Sequence, residues 1–376
     1  MNVCFLNHNL NDRSGAGRFG SNLVERLGRA DPGFKAVVLT TLSCGHPLER
    51  PILSANWFSL LLALPDIRAE FRRAEIIHAL DGYPYGLVAA LALIGIRRPL
   101  LITAIGTGAV QPLYRWYRWL TRWAYRRADR LAAISTNTKR EMLKRVAGLD
   151  ITVINHAVDA DEFSGDLTAG LSEIDMSEIE NLKPYMLSLG GWKRRKGFEY
   201  SFPAFAEIRK RFPEMRYVIC GIGPKPQLEE PLGLGGSVHY FKGVRWPFLK
   251  ALYASAELFM LLPMDDGKDI EGFGFAFLEA AAAGLPVVGT FESGAEDAVA
   301  DGENGFLVPP RDAPSAAAAA IRILSDPDLR AKFRDGSRRF AARMGWARVV
   351  GAYQAAYRGL GQRPPAGAGL RETVRI

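Results

Sequence analysis

Short apolar runs alternate with helix-length stretches along most of the chain. Runs at 2–7 (NVCFLN), 36–40, 75–80 (EIIHAL), 100–105, 130–135 (RLAAIS) and 151–154 have strand length and are largely apolar at odd and even positions alike. Such strands belong in a parallel sheet covered on both faces. The pattern begins again at 185–189 (YMLSL), with further strands at 216–220, 238–243, 257–263 and 285–290. Helical stretches lie between them, at 19–28 and 85–96 in the first half and at 198–212, 249–255, 275–283, 316–324, 331–343 and 346–360 in the second. Strand and helix alternating twice over predict an α/β chain of two Rossmann-like, doubly wound domains. The stretch 164–182 (SGDLTAGLSEIDMSEIENL) is polar, acidic and hardly periodic. It places a linker at 166–182, between a first domain at 1–165 and a second at 183–345. The segment 361–376 is rich in Gly, Pro and Arg and is expected to be disordered.

Composition narrows the class. A chain of 376 residues exceeds a single ordinary core, in keeping with two domains. The net charge of +8 calls for an anionic partner: a nucleotide diphosphate, a membrane surface or a nucleic acid. Cys4, Cys44 and Cys220 share no metal or disulfide spacing, which suits a reducing cytosol. No signal-peptide pattern opens the sequence. The longest apolar run, 86–96, is too short to span a bilayer and is closed by Arg97 and Arg98. A cytoplasmic protein, soluble or peripheral on a membrane, is expected.

Candidate chemistry concentrates at 271–290, EGFGFAFLEAAAAGLPVVGT. Glu271-Gly272-Phe273-Gly274 reads as a loop whose glycines permit close ligand approach. An alanine-rich helix follows, closed by Gly284, and then a buried strand. A loop feeding a helix N-terminus offers N–H groups and the positive end of the helix dipole to a phosphate. Phe273, Gly274 and Phe275 are the candidates for holding one. Glu271 lies in the loop and Glu279 in the second helical turn, so their carboxylates stand on the order of 10 Å apart at ~1.5 Å rise per residue. That is about the span from ribose to sugar in a nucleotide-sugar. A second candidate cradle follows the first strand, where Ser14-Gly15-Ala16-Gly17 forms a small-residue loop before a helix. His78 falls near the carboxyl end of a strand, where open α/β sheets place ligands; a packed core histidine fits the same position.

The 271–290 stretch resembles the retaining GT-B glycosyltransferases of carbohydrate-active family 4, the group 1 glycosyl transferases, whose signature reads E-G-F-G-x-x-x-x-E-A-x-A-x-G-x-P-V. The resemblance is close over the second half of the chain and looser over the first. It implies a GT-B fold, two Rossmann-like doubly wound domains facing across a cleft, with helix 346–360 packing back on the first domain. It also implies retaining transfer of a sugar from a UDP- or GDP-linked donor to an acceptor hydroxyl, with no cofactor and no metal. The acidic segment at 265–269 then reads as a polar loop. The family's G-R-x-x-x-x-K-G loop falls on 190–197 (GGWKRRKG). Lys196 matches its diphosphate-clamping lysine. Gly191 stands at the arginine position, leaving the second cation to Lys193, Arg194 or Arg195, of which Lys193 or Arg194 is expected to join Lys196 at the donor. Cations there would stabilise charge on the departing nucleoside diphosphate. Gly221 and Gly223, with Pro224, match a turn near the nucleobase. Glu279 would bond the ribose diol, and Glu271 would position the sugar and stabilise positive charge at its anomeric carbon. The resemblance turns Gly15 and Gly17 toward the donor diphosphate. Candidates for the acceptor and sugar side are His78, Gly106, Thr107 and His156, the last in a turn (NHAVD) similar to the family's P-H/N-G-V-D. At the end of strand 100–105, where family members carry a sugar-contacting histidine, this chain has Ile105.

The stretch 113–130 (LYRWYRWLTRWAYRRADR) reads as one helix with an arginine stripe of Arg115, Arg118, Arg122 and Arg126. Trp116, Trp119 and Trp123 flank one side, Tyr114 and Tyr125 the other, and Leu113, Tyr117, Leu120 and Ala124 face the core. Arginines bordered by aromatic rings suit an anionic membrane surface, and thus a lipid-linked or envelope glycan as acceptor. No nucleic-acid motif accompanies them, so no nucleic-acid partner is expected. The departures at Ile105 and Gly191 leave open a catalytically weak nucleotide-sugar-binding paralogue that acts as a scaffold. A GT-B epimerase or phosphorylase is the other alternative.

Overall fold

The computed structural model describes residues 1–11, 15–54, 56–223 and 228–361. Ser14, Pro224 and the expected disordered tail beyond residue 361 lie outside the described residues. Met1–His156 together with the helix Trp346–Gly361 form one compact unit, and Ala157–Gly345 form a second.

In the first unit the apolar runs become β1 (Asn2–Asn7), β2 (Lys35–Thr40), β3 (Glu49–Arg50), β4 (Ile76–Leu80), β5 (Leu100–Ala104), β6 (Arg130–Ala133) and β7 (Ile151–Val153). They pair in parallel in the order β3-β2-β1-β4-β5-β6-β7. Every residue of β4 and β5 is buried, as a sheet covered on both faces requires. The order reverses between β1 and β4, whose carboxyl ends form the switch point at which such sheets bind ligands. The second unit repeats the plan with β8 (Tyr185–Leu189), β9 (Arg216–Gly221), β10 (Val238–Lys242), β11 (Leu258–Met260), β12 (Val287–Thr290) and β13 (Gly305–Val308). Its order is β10-β9-β8-β11-β12-β13, again all parallel, with the switch point between β8 and β11. The α/β reading with two parallel sheets therefore holds.

Four local expectations need correction. The helix after β1 runs over Gly15–Ala30, so Gly15 and Gly17 lie in its first turn instead of in a loop. The Asn7 amide reaches the Ala16 carbonyl at 3.4 Å and ties the strand end to that turn. Residues 166–182 are no bare linker: Glu173–Leu182 is a helix of the second unit. A reciprocal capping box between Ser172 and Asp175 starts it, a signal the weak hydrophobic periodicity hid. The segment Gly305–Val308, absent from the predicted strands, is a strand, β13.

The fourth concerns 113–130, which is not one helix. Gln111–Tyr114 forms a short 3-10 turn, Arg115 is extended at φ −87° and ψ 164°, and the α-helix begins at Arg118 and ends at Arg127. Arg115 and Trp116 therefore precede the helix and leave the predicted stripe. Tyr125, expected on a flank, is buried because its hydroxyl finds an internal acceptor, the Ala109 carbonyl, at 2.6 Å.

Candidate active site

The loops that leave β8 and β11 stand side by side at the second unit's switch point, and each brings one half of a charge cluster. After β8 the chain passes through Gly190 at φ +153°, a 3-10 turn at Arg194–Lys196 and Gly197 in the left-handed conformation at φ +67°. Lys196 runs its stem over Gly190, where a Cβ would meet its Cε at 3.0 Å. After β11 comes the loop that ends at Glu271-Gly272-Phe273-Gly274, followed by the helix Phe275–Ala282. Gly274 is left-handed at φ +76° and opens that helix without a side-chain cap. The backbone of Gly294 packs directly against this loop; a Cβ there would meet the Glu271 carbonyl at 2.5 Å and the Phe273 nitrogen at 2.6 Å. The turn at 293–297 thus fixes the path of the EGFG backbone.

The two loops meet through their charges. Lys196 Nζ lies 3.0 Å from Glu271 Oε2 and 3.1 Å from Oε1. Arg195 Nη1 donates to Glu271 Oε2, and its Nε lies 3.0 Å from Asp269. Burial alone would raise the Glu271 carboxyl; the charges of Lys196 and Arg195 outweigh it and hold the group below the ordinary carboxylate value. Lys196 is shifted downward by burial against the attraction of Glu271, with Arg195 and Lys193 adding like-charge repulsion. A nearly buried carboxylate thus faces two cations, beside the positive end of a helix dipole.

Lys193 or Arg194 was expected as the second cation, but Arg195 is the one brought to Glu271. Lys193 and Arg194 are exposed, and Arg194 faces Glu199 and Asp266 at 3.6 and 3.5 Å. Gly191 has a physical reason of its own: a Cβ there would meet the Ile222 carbonyl oxygen at 2.6 Å. Backbone crowding leaves no room for an arginine, and its charge arrives from four residues further on. Gly221 lies against the Gly190 carbonyl, where any side chain would collide, and Gly223 stands in open space at φ +116°. Glu279 is only 2% exposed, and its Oε2 accepts a hydrogen bond of 2.9 Å from the Tyr253 hydroxyl. Phe273 is buried and Phe275 half-buried on the same segment.

The first unit places its candidates differently. His78 is fully buried between the Tyr357 hydroxyl at Nδ1 and the Thr103 hydroxyl at Nε2, each 2.8 Å away. Burial pushes its pKa down to about 3. His78 is therefore a packed core residue and not the sugar-side group expected at that strand end. His156 is also buried, edge-on to Phe19 at 4.4 Å between ring centroids. Burial, aided by the Arg18 charge, lowers its pKa to about 3, so it stays a neutral packing group near pH 7. Gly106, at φ +88°, opens the short helix Thr107–Val110, which puts Thr107 in that helix's first turn at the carboxyl side of β5. Asp81 was not among the expected residues. It follows β4 at the switch point with φ +112°, and its Oδ1 accepts from the N–H groups of Gly82 at 2.8 Å and Ile105 at 3.3 Å. Gly108 leaves no room for a Cβ beside that carboxylate. Burial raises the Asp81 pKa to about 7 against those two bonds.

Arg118, Trp119 and Arg126 are exposed on the helix Arg118–Arg127, whereas Arg122 and Trp123 are half-buried. Among the described residues no helix is long and apolar enough to cross a membrane.

Two family models match, Glycosyltransferase Family 4 over residues 13–162 and Glycosyl transferases group 1 over residues 173–340. The chain is similar to a GDP-mannose-dependent alpha-(1-6)-phosphatidylinositol monomannoside mannosyltransferase of Mycolicibacterium smegmatis, 29% identical over 287 residues that make up 72% of this chain and 74% of that one. It is likewise similar to an N-acetyl-alpha-D-glucosaminyl L-malate synthase of Bacillus anthracis, 28% identical over 285 residues, 71% of each chain. In fold it matches the crystal structure of Anabaena HepE in complex with UDP and glucose, with a TM-score of 0.77 and 18% identity over 96% of this chain and 100% of that one. The protein is a glycosyltransferase of GT-B fold. Within that class it belongs to the group 1 glycosyl transferases, the two family matches falling one on each half of the chain.

Proposed function

We propose that the protein transfers a sugar from a nucleotide-sugar, UDP- or GDP-linked, to an acceptor hydroxyl with retention at the anomeric carbon. The observation that carries this is the Glu271–Lys196–Arg195 cluster at the second unit's switch point, beside a helix N-terminus. Phosphate oxygens of the donor would take up Lys196 and Arg195 and the N–H groups near Phe273 and Gly274. Glu279, oriented by Tyr253, would accept from the ribose diol. Glu271 would face the sugar. The bond between the anomeric carbon and the β-phosphate oxygen breaks, and the electron pair leaves with the phosphate. The acceptor oxygen forms its bond on the same face, and its proton passes to the departing phosphate. Positive charge building on the sugar is offset by Glu271, and negative charge on the diphosphate by the two cations. The step asks for no metal. Relatives named as GDP-mannose-dependent and a structural neighbour holding UDP support the donor class without choosing between the bases.

The acceptor is a lipid-linked or envelope glycan, reached from the cytoplasmic side of an anionic membrane. The exposed Arg115, Trp116, Arg118 and Trp119 support this, as does a relative whose name specifies a phosphatidylinositol mannoside. Radiolabelled UDP- and GDP-sugars supplied with a membrane extract test both halves. Label in the solvent-extractable lipid fraction is expected, with nucleoside diphosphate released in step. In that assay Glu271→Gln should lose turnover and keep donor affinity, while Glu279→Gln should lose donor affinity. Wild-type behaviour from both variants would overturn the assignment.

A further inference from the structure

The helix Trp57–Leu62 (WFSLLL) buries only Leu60. Its other large side chains face solvent, with Phe58 70%, Leu61 64% and Leu62 68% exposed. Soluble proteins seldom leave so contiguous an apolar surface open unless something docks on it. The surface does not stop at this helix. Trp57 meets the Tyr83 phenol, Tyr83 stacks on Tyr117 at 5.3 Å between ring centroids, and Tyr117 meets Trp116 edge-on at 5.5 Å. Trp116 and Trp119 are themselves 84% and 62% exposed. One chain of aromatic rings therefore joins two apolar elements, distant in sequence, into a single face of the first unit.

Charge selects the occupant. Residues 51–65 carry no charged side chain, and no Asp or Glu occurs between Asp81 and Asp129, a stretch with seven arginines. Arg115 and Arg118 stand exposed beside Trp116 and Trp119. A second copy docking here by two-fold symmetry would set arginine against arginine, with no carboxylate in either stretch to offset them. Aliphatic and tryptophan side chains rimmed by guanidinium groups instead match the boundary between acyl chains and anionic headgroups.

We propose that Trp57, Phe58, Leu61 and Leu62, together with Trp116 and Trp119, enter the interface of an anionic bilayer while Arg115 and Arg118 hold headgroup phosphates. The proposal rests on the membrane-surface reading above and adds the element that goes into the lipid.

Sedimentation with vesicles tests it, using phosphatidylglycerol mixed equally with phosphatidylcholine and, in parallel, phosphatidylcholine alone. The wild-type chain should sediment with the mixed vesicles and far less with the neutral ones. Replacing Phe58, Leu61 and Leu62 together by Ser should weaken binding by roughly a hundredfold or more. Arg115→Gln with Arg118→Gln should weaken it by roughly tenfold. Because all five side chains are exposed, an unchanged thermal midpoint is expected and verifies the fold of each variant. Wild-type binding by the triple variant, or no vesicle binding by the wild-type chain, overturns the proposal. So does a wild-type dimer that the triple variant turns into a monomer, since a second copy would then cover the face. Melting shifts with UDP- and GDP-sugars, read on the same samples, separate the two readings. Donor shifts without vesicle binding sink the bilayer contact alone, and vesicle binding without donor shifts sinks the donor assignment alone.

Discussion

The Lys196 ammonium and the Glu271 carboxylate stand 3.0 Å apart on loops from two adjacent strands, 75 residues from each other along the chain. Neither loop could hold its charge at that depth alone, because an unpaired ion there would shed its charge or draw in water. Each loop therefore depends on the other for its shape.

Arg195 shares Glu271 with Lys196, whereas Lys193 is exposed. Arg195→Ala is expected to lower kcat by roughly a hundredfold, and Lys193→Ala by less than about threefold. Steady-state kinetics with saturating donor reads both. Equal losses would mean that the cluster seen here is not the one that meets the leaving group.

Tyr253→Phe removes the donor to Glu279 and leaves a nearly buried carboxylate short of one partner. A stability loss of about 1–3 kcal/mol is expected by chemical denaturation. Donor KM should rise while kcat changes little, because the ribose contact loses its orientation.

Gly191→Arg would put the family's usual residue back into the loop. The Ile222 carbonyl stands 2.6 Å from where its Cβ must go, so the change should destabilise the protein and lower activity. A gain in turnover would show that the backbone yields there.

His78 and His156 are both depressed from 6.5 to about 3, by burial in each case. A depressed histidine binds its proton less well in the folded state. Its contribution is complete above the unfolded value and is lost as pH falls from 6.5 toward 3. Thermal midpoints should drop over that window, and His78→Gln should make the drop shallower.

Asp81 works in the opposite sense, being raised from 3.8 to about 7 by burial. Stability is full below the unfolded value and declines as pH rises through 7. Asp81→Asn keeps an oxygen for the Gly82 and Ile105 N–H groups and should raise the midpoint above neutral pH, with no gain at acid pH. An equal gain at both ends would assign the effect to backbone strain at φ +112° instead.

The sheets were readable because strands buried on both faces leave continuous apolar runs, and β1 and β8 match their predicted limits. The EGFG loop and its helix were readable because glycine and alanine mark them locally. The sequence pointed to Lys193 or Arg194 in place of Arg195, since a cation's partner on a loop 75 residues away leaves no trace in local spacing. The break at Arg115 escaped for a related reason: helical periodicity cannot register one extended residue when the side chains on either side still suit a helix. His78 reads as functional by its place at a strand end, and it is the bond from Tyr357, 279 residues later, that marks it as a core residue. The run WFSLLL carries no such signal, because an apolar helix reads the same in sequence whether it is buried or uncovered.

That late helix also bears on how the polypeptide matures. Tyr353 and Tyr357 belong to the same buried network as His78 and Thr103. A ribosome releases β1 through β7 first, yet the Tyr357 hydroxyl that bonds His78 and the Tyr353 hydroxyl that bonds Thr103 emerge only after the whole of Ala157–Gly345. The later-made unit has every one of its own strands in hand before the earlier one is complete. The nascent first unit therefore has all of its strands but lacks the helix that closes the buried His78–Thr103 network until the second unit has been made.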